Sequence, residues 1–247
     1  MPVTPAHAIV AWPLSKIFRR VPLSALIIGA MSPDYEYFLR LAPVTRVAHT
    51  LTGLVWFCIP VSMAVWLVFR RLVRPALIEL LPPGLARAVG PASTSWKWAL
   101  VGVVLGAVSH VAWDGFTHQH DWAVTAWPLL RTQPLPALAP WPWYRWLQYC
   151  SSIGGLAALA IWTLSWIRAQ PPDARRWAPG QRRRALMVAS VILTASAVCG
   201  VADGLMGARH TWTADLGRAA VGSMVGYSLS LLALGLIRRR AGARASP

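Results

Sequence analysis

Acidic residues are scarce in this chain, eight aspartates and glutamates among 247 residues. Charged residues of both signs make up only 13%, against roughly 25% in a soluble domain. That argues against an ordinary soluble globular protein. Cysteine is scarce as well. Cys58, Cys150 and Cys199 lie in or beside apolar runs with no paired spacing, which argues against a disulfide framework or a cysteine zinc site. They read as small buried residues. No basic start precedes the first apolar run, as a removable signal peptide would need. The cluster Lys16, Arg19 and Arg20 follows that run instead, so the N-terminus is expected to stay in the mature protein. No long polar linker divides the chain, and no repeat at a fixed period is visible. Neither a Ser-His-Asp order with a nucleophile elbow nor a reactive cysteine is present, which disfavours covalent hydrolysis.

What is abundant is hydrophobic sequence, 56% of the chain. Five runs approach the roughly 20 residues that a bilayer requires: Leu51 to Phe69, Trp96 to Phe116, Trp146 to Ile167, Ala185 to Met206 and Leu216 to Ile237. Before them, Pro22 to Leu39 is too short to span. It reads as a short helix, a break at Ser32-Pro33 where proline disfavours helix in the preceding residue, and a second short helix opening at Asp34. The expected fold is all-α: a polytopic membrane protein with about five transmembrane helices behind a short broken N-terminal segment. One integral membrane domain covers 1–247, with the broken segment at 1–50, the bundle at 51–237 and a basic tail at 238–247.

The net charge of +16 raises nucleic acid as a partner. The basic residues, however, cluster at the ends of apolar runs. That pattern belongs to membrane topology and anionic headgroups, so lipids are the expected partners and nucleic acid is not. The loop from Arg70 to Lys97 carries five basic residues, that from Arg168 to Arg184 six, and the tail after Ile237 four. The loops from His118 to Arg145 and from Gly207 to Arg218 carry two each. The positive-inside rule puts the first group in the cytoplasm. The N-terminal region, with Lys16, Arg19, Arg20, Arg40 and Arg46, breaks that rule. The loop between His118 and Trp146 is rich in proline and tryptophan and reads as an interfacial flap or a passive anchored loop.

The chemistry concentrates in few residues. His110, Asp114 and His118 stand four apart in an apolar run, so neighbours share a helical face. Polar side chains at membrane depth are costly and usually functional. Counting from Trp96 at about 1.5 Å per residue, His110 lies roughly 21 Å along the helix and Asp114 roughly 27 Å. The topology puts His49, His118, Asp203 and His210 in the same outer layer. His110 and His118 are about 12 Å apart along a continuous helix, so one ion cannot easily take both. A two-metal site suits the pattern better than one closed tetrahedron. His7 follows a Thr4-Pro5 helix start with Thr4 as N-cap, and Asp34 follows Ser32-Pro33 in the same grammar. The first two spans are expected to lie side by side, bringing His49 within ion-sharing range of Asp114. Asp203 reads equally as a hydrogen-bonded structural residue. His120 and Asp121 read as solvated loop residues.

The ordered series of His7 in TPAHAIV, Asp34 in GAMSPDYEYF, His49-Thr50, and His110, Asp114 and His118 in GAVSHVAWDGFTH resembles a bacterial integral membrane family, the domain of unknown function 4184. It also resembles the zinc-dependent phospholipase C and nuclease superfamily and membrane-bound metal-dependent hydrolases related to it. The resemblance implies a divalent metal, zinc above all, held by His7, Asp34, His49, His110, Asp114 and His118. Asp34, Asp114 and His118 would be catalytic. The substrate would be a phosphoester or lipid-linked molecule attacked by metal-activated water, in a multi-pass protein of the bacterial cytoplasmic membrane. The chain lacks the N-terminal tryptophan ligand and the fuller ligand set of the soluble superfamily. The alternative is a non-enzymatic membrane protein with a structural ion or an ion or proton pathway.

Overall fold

The computed structural model describes residues 3–91, 95–206 and 212–244. His210 lies outside the described residues. The chain is 80% helical, without strands among the described residues. Five described helical runs are long and apolar enough to cross a membrane: Leu51–Glu79, Trp96–Ala126, Trp143–Ala169, Gln181–Leu205 and Asp215–Ala241. They are the first to fifth spans below. The chain forms two compact units. One holds Met1–Tyr35, Arg46–Trp66 and Ser93–Ser165; the other holds Glu36–Thr45, Leu67–Ala92 and Trp166–Pro247.

In the first unit, a tight 3-10 turn, Thr4–Val10, runs into helix α1, Ala11–Ile17. Helix α2, Leu23–Met31, follows, then a 3-10 turn, Ser32–Asp34, and helix α3 from Tyr35 to Arg40, which leads into the second unit. The sequence predicts a break at Ser32-Pro33; the chain tightens there instead. Ser32 keeps helical dihedrals, and its hydroxyl donates to Gly29 O at 2.8 Å. Nor does Thr4 cap its turn as expected. Val3 holds the extended cap position without a side-chain bond, and Thr4 lies inside the turn with its side chain beside Asp34.

The first span also runs further than its apolar stretch, past Arg70, Arg71 and Arg74 to Glu79. Pro60 and Pro75 sit inside it. Each follows a widened π turn, Leu54–Cys58 before Pro60 and Phe69–Val73 before Pro75. Proline lacks an N–H and crowds the carbonyl four residues back. A π turn absorbs that misfit without ending the helix.

The second span is the centre of the first unit. Its most apolar window is 44% buried in protein, against 6% for the third span. It packs on α2 through glycine. A Cβ added at Gly29 would meet Val103 O at 2.4 Å, and one at Gly106 would meet Leu26 O at 2.4 Å and Ala30 N at 2.5 Å. Gly102 faces Val21 and Ala25. Gly102 and Gly106 are four residues apart, the small-xxx-small spacing that lets two backbones touch in a membrane. The third span meets the N-terminal turn at Gly155, where a Cβ would stand 2.9 Å from Ala6 Cβ. Ser152 Oγ accepts from Val3 N at 3.2 Å.

The second unit is built the same way. The fourth and fifth spans touch through Gly200, Gly222 and Gly226, each with a neighbouring atom under 3 Å from where a Cβ would stand. Arg218 donates to Asp203 Oδ1 at 2.7 Å and to Asp203 O at 3.0 Å. Asp203 is thus the partner of an arginine in this unit, the structural role weighed for it from sequence.

The glycine crossing makes a sharp expectation. Gly106→Ala should destabilise the protein by roughly 1–3 kcal/mol, the usual cost of overpacking, because the opposing atoms are backbone and cannot rotate away. Gly154→Ala, on the third span with nothing within 4 Å of its Cβ position, should be neutral. Thermal unfolding of both variants in detergent checks this. Equal melting temperatures would show that the crossing is looser than described.

Candidate metal centre

The close crossing of α2 and the second span determines what faces what. It sets the carbonyl of Ala30 against His110, with Nδ1 to O at 2.7 Å. A carbonyl has no proton to give, so Nδ1 carries the hydrogen and Nε2 is left on the other side of the ring. Asp34 stands one turn beyond Ala30 and comes into range of that nitrogen, with Oδ1 3.5 Å from Nε2. Asp114, one turn along the second span, places Oδ2 3.2 Å from the same atom.

His49 arrives from the start of the first span. Thr50 caps that helix, accepting from Gly53 N at 2.9 Å and donating to Val47 O at 2.7 Å. Gly53 admits the backbone of Val47 so closely that a Cβ would stand 1.8 Å from its carbonyl oxygen. The segment before the helix is therefore folded back on it. His49 Nε2 lies 3.3 Å from Asp114 Oδ2 and 3.6 Å from Asp34 Oδ1. The expected proximity of His49 and Asp114 is present. His7 closes the cluster from the N-terminal turn. Its ring stacks on His110 with centroids 3.7 Å apart and planes 16° from parallel, and its Nε2 is 3.5 Å from Asp114 Oδ1.

Five of the six ligand candidates thus converge, with Asp114 as hub. Its Oδ1 faces His7, and its Oδ2 faces His49 and His110. Two triads have ligand atoms within 4.8 Å of one another: His7, His110 and Asp114; and Asp34, His49 and His110. They share His110, whose Nδ1 is already engaged. With only Nε2 free, His110 serves one ion. A second ion would be held by His7 and Asp114.

The centre is nearly dry. Asp34 and His110 are fully buried, Asp114 is 1% exposed and His7 7%. Burial holds His7 far below its ordinary value, at about 3, with His110 adding to the effect, so its ring is neutral and offers a lone pair. Burial likewise pushes the Asp34 carboxyl up. His7 Nε2 and both carboxylate oxygens of Asp34 are buried without a hydrogen bond.

These groups fit a cation. Two acceptor oxygens face an imidazole nitrogen that has no proton in the neutral ring, an arrangement that is repulsive until positive charge is supplied. The separations of 3.2–3.6 Å match the tetrahedral edge of about 3.4 Å given by metal bonds of roughly 2.1 Å. Mixed imidazole and carboxylate donors suit a divalent transition ion such as zinc, iron or manganese. The His110 contact to Ala30 is the backbone support that metal-bound histidines usually have.

His118 stands apart from both triads. The second-span helix ends at Thr117, and His118 is extended at φ −118°, ψ 136°. The early end turns its ring back, with Nδ1 3.0 Å from Asp114 O and 3.8 Å from Asp114 Oδ2. It is 30% exposed and sits 3.6 Å from Asp121 Oδ2. Asp121, read from sequence as a plain loop residue, is thus beside the mouth of the cluster, though 44% exposed. Beyond it the tryptophan-rich loop forms a short helix, Trp122–Ala126, and a 3-10 turn, Pro128–Arg131. Trp122 lies over Gly115, where a Cβ would meet its Nε1 at 2.2 Å. Phe116 and Trp127 complete an aromatic group beside it.

Sequence reading missed the groups that position the ligands. The Ala30 carbonyl leaves no signal in a side-chain motif. Gly29, Gly102 and Gly106 do, through their spacing, and so does Thr50 directly after His49.

The model of the family called domain of unknown function DUF4184 matches residues 1–236, and the chain belongs to that family. No curated protein and no solved structure gives a significant match.

The geometry ranks the two nearby aspartates. Asp114→Ala should lower bound zinc at least about tenfold, while Asp121→Ala should cost less than the roughly 10–100-fold typical of an outer-shell partner. Metal content by mass spectrometry after chelation and reloading measures both. Equal metal in wild type and Asp114→Ala would remove Asp114 from the centre.

Proposed function

We propose that this DUF4184 member is a membrane-embedded, metal-dependent hydrolase acting on a phosphoester or lipid-linked substrate. The observation that carries the reading is the convergence of His7, Asp34, His49, His110 and Asp114 on one dry point, with carboxylate oxygens facing His110 Nε2 at 3.2 and 3.5 Å. Zinc bound there would lower the pKa of water and polarise a scissile group.

The chain's own residues do the rest. His110 is held by Ala30 so that Nε2 faces inward. Asp34 and Asp114 would supply the negative charge that holds a divalent ion. His49, 16% exposed, and His118, 30% exposed, form the side on which a substrate can approach. His118 is placed to hold or pass a proton to a leaving group, with Asp121 orienting its ring.

A structural ion is the second reading, favoured by the complete burial of Asp34 and His110. Structural zinc sites are closed, whereas catalytic ones keep an open position. The two part on activity. Zinc- or manganese-loaded protein should hydrolyse members of a panel of phospholipids and simple phosphoesters. Asp34→Asn and His110→Ala should reduce turnover at least about a hundredfold, as expected when water activation is lost, while His120→Ala in the exposed loop should not. Tight metal with no turnover across the panel would favour the structural ion. Turnover surviving both substitutions would place the chemistry elsewhere.

For the setting we propose the cytoplasmic membrane of a bacterium, with the basic loops inside and the centre near the outer face. A cysteine at Pro134 should then react with an impermeant reagent added from outside, and one at Arg175 only from inside. The reverse pattern would move the centre to the cytoplasmic side.

A further inference from the structure

Behind His7 lies a cavity of about 490 Å³ within the first unit. Its walls come from the N-terminal turn and α1 (Val10, Trp12), the second span (Trp113) and the third span (Gly154, Gly155, Ala158). Two hydroxyls also line it, but both are occupied. Ser109 donates to Gly106 O at 2.6 Å and Ser151 to Gln148 O at 3.2 Å. Among the described lining residues, His7 is therefore the one that also belongs to the polar centre.

We propose that this cavity holds the single hydrocarbon tail of a lipid phosphate whose head sits at the metal centre, past His7. The inference rests on the hydrolase reading for the head and on the cavity for the tail. Three observations select this occupant. The walls are apolar apart from His7 and the two engaged hydroxyls, which suits a ligand polar at one end and greasy along the rest. Two walls are spans of membrane length, and the third span is only 6% buried along its apolar window, which gives a tail a way in from the hydrocarbon. The volume of about 490 Å³ lies within the roughly 300–1,000 Å³ of small-ligand pockets, room enough for one hydrocarbon tail. Glycine at 154, with nothing within 4 Å of its Cβ position, keeps the slot open.

The test uses the full chain, zinc-loaded, in lipid nanodiscs, with a hexadecyl phosphate carrying a diazirine near its tail end. Irradiation and peptide mapping should place the label on Val10, Trp12 and Ala158. Labelling there should fall at least fivefold in Gly154→Phe and, independently, in Ala158→Phe, with zinc content unchanged in both. Unlabelled hexadecyl phosphate should compete far better than hexadecanol or butyl phosphate, because head and tail are both bound. Label spread evenly along the lipid-facing side of the third span, and unchanged in the two variants, would overturn the tail slot. Equal competition by hexadecanol would overturn its coupling to the centre. Neither result depends on turnover, so failure of the hydrolase reading appears separately in the phosphoester panel.

Discussion

Two carboxylates removed from water face one imidazole nitrogen, and the rest of the first unit is arranged around that fact. An ionised carboxylate in a dry interior is strongly unfavourable unless paired or bound to a metal. Among the described residues, no arginine or lysine forms an ion pair with Asp34 or Asp114. Their neighbours are histidines, and His110 presents to them the nitrogen opposite its bond to Ala30. Asp203 shows the other solution in the same chain: a carboxylate buried with an arginine against it. The first leaves carboxylate oxygens facing a histidine nitrogen; the second ties two helices together.

The centre depends on backbone more than on side chains. Its five converging residues come from four places in sequence, and three of those lie in the first 50 residues, in elements too short to span. What holds them is contact between main chains where glycine leaves no Cβ. Asp34 reaches His110 because α2 lies directly on the second span. His49 reaches Asp114 because the chain folds tightly over Gly53. In a bilayer, apolar side chains gain little by leaving lipid for protein, so such close packing is what remains to drive association.

Much of this was legible. Polar residues are so rare in the apolar runs that His110 and Asp114 stand out, and their four-residue spacing gives a shared face directly. The five spans follow from length and hydropathy. Asp34 was found through the proline before it and His49 through its place at a span's edge. Other features were not visible because they depend on what a neighbour supplies. Ser32 stays helical because its hydroxyl bonds Gly29, against the local preference set by Pro33. Thr4 lies beside Asp34 and does not cap its turn. The first span continues beyond its apolar stretch because π turns take up Pro60 and Pro75. His118 looked out of reach for a continuous helix; the helix stops one residue before it.

The glycine crossing also imposes an order on biosynthesis. Asp34 and His110 are seventy-six residues apart in the chain, an interval of roughly 4–15 s at ribosomal speeds of about 5–20 residues per second. During that time α2 can pack on the N-terminal turn and α1, but the helix that carries His110 and Asp114 is missing. The ligand pocket comes into being only when the second span enters the membrane and presents Gly102 and Gly106. Any ion that the centre takes would therefore be captured late, once that helix is in place. The full set of candidate ligands would then assemble in one step, when the two backbones meet.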